Sequence, residues 1–74
     1  MRKKLSYVMT AEGYRNRLEK MSDEELKKEG EEILGIEIDD IEDARDDGWL
    51  IKSLIEEHDR ALASRGISPD GYIE

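Results

Sequence analysis

The string Ser22-Asp23-Glu24-Glu25 limits what this chain can become more than any other stretch. Serine at a helix cap and glutamate three positions on make a capping box, in which side chains satisfy two helix-starting amides reciprocally. Met21 before the cap and Leu26 at the fourth helical position fit a hydrophobic staple. Asp23 and Glu24 suit the positive end of the helix dipole. A helix therefore starts at 22, and any element before it ends by 21.

Helices follow on both sides of that boundary. Thr10 caps a helix over 10–20 whose apolar positions, Ala11, Tyr14, Leu18 and Met21, share one face. The helix over 22–34 buries Leu26, Gly30, Ile33 and Leu34 and stops at Gly35. Gly30 costs about 1 kcal/mol against alanine in a helix interior, and it lets another helix approach closely. Asp39 or Asp40 caps a long third helix over 40–65. Its stripe is Ile41, Ala44, Gly48, Ile51, Ile55, His58 and Leu62, widened by Leu54 and Ala61. Glu56 and Arg60 form an i,i+4 pair on its far side. Arg65 suits its C-terminal end, and Gly66 stops it.

The ends are less regular. Residues 5–9 alternate Leu5, Tyr7 and Met9 against Ser6 and Val8, as a short strand or an extended arm does, with 36–38 as its possible partner. Ser68-Pro69-Asp70-Gly71 is a type I turn signal, after which Tyr72 and Ile73 fold back toward the core. The expected fold is all-α. It is one small acidic domain over 1–74, with a basic arm over 1–9, three helices and a turn-containing tail over 67–74. A chain of 74 residues with no cysteine has no disulfide to staple it. The missing cysteines and the absence of an apolar leader or membrane span fit a cytoplasmic protein.

Charge is the second constraint. Residues 1–28 hold eight Lys/Arg against five Asp/Glu, a net +3; residues 29–74 hold four against fifteen, a net −11; the chain carries −8. Residues 39–47 pack six carboxylates around Arg45, and Gly48 and the only tryptophan, Trp49, follow. An acidic surface attracts basic partners and repels nucleic acid and anionic membranes. On an uninterrupted third helix, Trp49 stands opposite Ile51, Ile55 and Leu62, on the charged face, where it anchors a partner. If Gly48 breaks the helix, Trp49, Leu50 and Ile51 enter the core instead. Under either reading Arg45 can lie over the indole.

Catalytic and metal chemistry find little support. Asp43-Ala44-Arg45-Asp46-Asp47-Gly48 resembles the start of a calcium loop, but a cation holds its third position and Leu54 its twelfth. His58 is the sole histidine and falls on the apolar stripe, without a second His or a Cys to share a metal. The basic cluster Arg2-Lys3-Lys4, followed by Arg15, Arg17 and Lys20, suits DNA contact in a small transcriptional or antitoxin-type regulator. The turn at Met21-Ser22 is too short for a helix-turn-helix.

Met21-Ser22-Asp23-Glu24-Glu25-Leu26 and Leu54-Ile55-Glu56-Glu57, leading to Arg65-Gly66, resemble the sporulation kinase inhibitor Sda, a small helical hairpin. The resemblance covers only these residues, the spacing between its two parts is longer here, and it carries no residue roles. In composition alone, a small, acidic, cysteine-free chain is similar to phage-encoded inhibitors such as anti-CRISPR and anti-restriction proteins. The expected function is non-catalytic. It is an inhibitor or regulator without cofactor or metal, whose Glu37, Asp39, Asp40, Glu42, Asp43, Asp46, Asp47 and Trp49 dock on a basic, nucleic-acid-binding protein. The DNA-contacting regulator is the alternative, and a self-associating helical unit is a third.

Overall fold

A computed structural model describes residues 3–6 and 8–73. Arg2 and Tyr7 therefore lie outside the described residues. The order is β1 (Lys3–Lys4), α1 (Ala11–Lys20), α2 (Asp23–Leu34), α3 (Ile41–Asp47), α4 (Trp49–Ala63) and β2 (Tyr72–Ile73). The domain is helical, with one two-stranded antiparallel ladder pairing Lys3 with Ile73 and Lys4 with Tyr72.

The helix starts follow from local chemistry. Thr10 Oγ1 accepts from the Gly13 amide at 3.0 Å. The capping box is complete: the Glu25 amide donates to Ser22 Oγ, and the Ser22 amide donates to Glu25 Oε1, both at 3.2 Å. Hydrogen bonding from Ser22, its backbone amide first and its hydroxyl second, holds the Glu25 carboxyl below its ordinary range. Asp40, rather than Asp39, caps α3 through the Asp43 amide at 3.1 Å. Gly35 ends α2 in the left-handed region at φ 67°, donating to the Glu31 carbonyl.

The long third helix does not form as one piece. Gly48 takes φ 78° and separates α3 from α4. On an unbroken helix, Leu50 would lie about 120° from Ala44, off the core face. The left-handed residue resets that phase. Leu50 now joins Leu54, Ile55 and Leu62 among the buried side chains of α4, and Ile51 is only half-buried. Helix α4 ends at Ala63, 64–66 is a turn, and Ala61, within α4, is exposed.

The main core joins Tyr14 and Leu18 of α1, Leu26 of α2, Ile38, Ala44 of α3, and Leu50, Leu54 and Ile55 of α4. Gly30 serves the close approach expected of it, with Leu50 and Ile38 packed directly on its backbone. Ile33, expected inside, is 45% exposed. It lines an open groove with Leu54, His58 and Ala61 of α4. Residues 36–38 are not a strand: the Ile38 amide donates to Glu31 Oε2 at 3.0 Å, a side-chain bond that draws Ile38 inward.

Nor do Leu5, Ser6, Val8 and Met9, the described residues of 5–9, form the strand. It sits at Lys3–Lys4, and its partner is the C-terminal tail. The tail turns tightly, with the Gly71 amide donating to the Ser68 carbonyl at 2.9 Å and Ile67 bridging Ile73. The Leu5 amide donates to Gly71 O, and the Ala11 amide, in the first turn of α1, donates to Pro69 O, both at 2.8 Å. A second, smaller core forms there from Leu5, Leu62 and Ile67, with Val8 against it. Tyr72 folds back half-buried, whereas Ile73 stays exposed. No helix among the described residues is long and apolar enough to cross a membrane.

Candidate functional site

The acidic segment occupies the connector before α3 and α3 itself. Glu37, Asp39, Asp40, Glu42, Asp43, Asp46 and Asp47 are all exposed. At 100° per residue, Glu42, Asp46, Asp43 and Asp47 cover about 140° of α3. Ile41 and Ala44 lie on the opposite side and pack inward. The seven-residue helix thus presents one face to the core and one sheet of carboxylate to solvent. The calcium-like string folds as this helix, not as a ligand loop.

Trp49 opens α4 directly behind that face and is 42% exposed. Both expectations for it are half met. Gly48 does break the helix, but the residue delivered to the core is Leu50, and Trp49 is left at the surface. Arg45 goes elsewhere than the indole. Its Nη1 donates to Asp23 Oδ1 at 2.9 Å and its Nη2 to the Glu19 carbonyl at 2.7 Å. The guanidinium therefore ties α3 to the junction of α1 and α2. This leaves the carboxylates of α3 without their only internal cation. Arg60 pairs with Glu57 rather than Glu56.

A second cluster was not expected. His58 stacks on Tyr14, ring centroids 4.9 Å apart and 22° from parallel. Its Nε2 lies 2.7 Å from the Met9 carbonyl and its Nδ1 3.1 Å from Asp59 Oδ1. A carbonyl can only accept, so Nε2 carries a proton. The Tyr14 hydroxyl donates to Glu29 Oε2 at 2.9 Å. Burial, then the bond to Glu29 and its charge, push the Tyr14 hydroxyl well above the usual tyrosine range. Tyr14 thus stays a donor, and these groups lock α1, α2 and α4 together. The sequence signal was present in the apolar-stripe positions of Tyr14 and His58. Glu29 carried none, because one glutamate among so many acids does not stand out.

Comparison with protein-family models, with curated proteins and with solved structures finds no match to this chain.

Proposed function

We propose that this is a non-catalytic binding protein whose acidic face docks on a basic, nucleic-acid-binding partner and regulates or inhibits it. The single observation that supports this reading is the outward presentation of all seven carboxylates from 37 to 47, with Trp49 exposed beside them. Carboxylates on a surface of this kind occupy positions that phosphates would otherwise take. Complementary charge of this density speeds association and makes it salt-sensitive. Trp49 adds an apolar anchor of the type enriched at interface hot spots.

Affinity capture from source-cell lysate tests the reading, using wild type, Trp49→Ala and the triple change Asp43→Lys, Asp46→Lys, Asp47→Lys. Wild type is expected to retain a basic nucleic-acid-binding protein that the triple variant loses and that raised salt releases. Equal capture by all three forms, or capture indifferent to salt, overturns it.

The exposed Lys3, Lys4, Arg15, Arg17 and Lys20 favour a second reading, a regulator that touches DNA through its basic N-terminal part. A gel shift with random duplex at low salt decides it: no retardation, with or without the captured partner, removes this reading.

A further inference from the structure

A groove of about 380 Å³ opens between α2 and α4, where the N-terminal arm enters α1. Tyr14 and Leu54 form its buried floor, and Met9, Ile33 and Ala61 stand on its walls. Met9 and Ile33 are 41% and 45% exposed, and they are two of only five large apolar side chains exposed among the described residues. Ile33 follows the helical spacing of a core residue, yet the fold leaves it unused. The ionisable groups at the rim are Glu29, Glu57 and His58; no Lys or Arg lines the groove among the described residues.

We infer that this groove is a docking site for a basic amphipathic helix of a partner protein. The helix seats an apolar side chain between Met9, Ile33 and Ala61, and its flanking lysines or arginines meet Glu29 and Glu57. Charge complementarity selects this occupant: an apolar slot rimmed by carboxylates, on a chain of net charge −8, excludes an acidic or neutral helix in favour of a basic one. Apolar insertion with flanking charge is the usual chemistry of helix-in-groove recognition. Glu57 is positioned for the exchange, because its pair with Arg60 lies at the surface and a partner cation can replace it. Glu29 is oriented by the Tyr14 hydroxyl. The inference rests on the reading of this protein as a binder of basic proteins, but it uses a surface distinct from the acidic face of α3.

The test uses two synthetic peptides of identical Leu/Lys composition and about 18 residues, the length of a helix of about five turns. One is patterned as an amphipathic helix, and the other is scrambled. Affinities are measured by fluorescence anisotropy, and contacts by methyl NMR of the full chain. The patterned peptide is expected to bind at least about tenfold tighter than the scrambled one, with shifts at Met9, Ile33 and Ala61. Ile33→Asp and, independently, Ala61→Arg are expected to abolish that preference; both positions are exposed, and circular dichroism checks the fold. Reversing charge at Asp43, Asp46 and Asp47 is expected to weaken both peptides alike and leave the preference intact. Equal binding of the two peptides, or shifts confined to 37–47, overturns the groove and leaves the acidic-face reading standing. Concentration-dependent dimerisation abolished by Ile33→Asp assigns the groove to a second copy and likewise overturns the proposal.

Discussion

A methyl group added at Gly30 would sit 2.7 Å from Leu50 Cδ1 and 2.9 Å from Ile38 Cδ1. Both neighbours are buried, so neither can swing into solvent. Gly30→Ala gains about 1 kcal/mol of helix propensity. Overpacking of this kind costs about 1–3 kcal/mol. The expected balance is a net loss of about 1 kcal/mol by urea denaturation. Leu50→Val in the same chain is expected to recover part of that loss, so the two changes are non-additive. At Tyr14, replacement by Phe removes the bond to Glu29 and is expected to cost about 1 kcal/mol at neutral pH. The alkaline behaviour has a definite sign. A hydroxyl whose folded pKa is raised contributes stability below its unfolded value of about 10, and that contribution is lost as pH rises toward the folded value. Wild type is therefore expected to lose stability steeply above about pH 10, and Tyr14→Phe less steeply, in denaturation curves taken across that range.

At the scale of elements, one left-handed residue decides how the second half of the chain packs. Gly48→Ala is expected to cost about 1–2 kcal/mol, because a Cβ is unfavourable at positive φ. Restoring a continuous helix would also turn Leu50 off the core. Near-ultraviolet circular dichroism of Trp49, one residue away, reports that change directly. Helix boundaries at 10–20 and 22–34 were legible because Thr10, Ser22, Glu25 and Gly35 act within one turn of themselves. The break at Gly48 was legible only as an alternative, since a lone glycine in an apolar stripe is compatible with a helix or its end. Leu50 could not be assigned inward without knowing the phase that Gly48 sets. The β1–β2 ladder was illegible for a different reason: its partners are separated by nearly the whole chain, and two-residue strands leave no periodicity. Likewise, the exposure of the acidic face followed from composition, whereas the groove is assembled from residues of the arm, α1, α2 and α4. No local pattern records that.

The molecule is elongated, 45 × 21 × 18 Å, with a radius of gyration of 13.3 Å. A chain of this length packed as a sphere has a value of about 11 Å. The extra length comes from two separate cores, the larger among α1 to α4 and the smaller at the far end of α4 around Leu62. Small clusters open at lower free energy than large ones. Hydrogen exchange is therefore expected to show the amides of Leu5 and Gly71 opening well before those of Leu26 and Leu54. The charge of the whole chain acts at the same scale. Raising salt from about 0.05 to 0.5 M, which shrinks the screening length severalfold, is expected to weaken partner binding at least about tenfold. The ladder between Lys3–Lys4 and Tyr72–Ile73 has a mechanical consequence. The two strands run antiparallel, so tension applied through the two ends falls on their cross-links one after another, as in a zipper, and not on all of them at once in shear. The tail peels first under a small force, and the helical bundle bears load only after the ends have come apart.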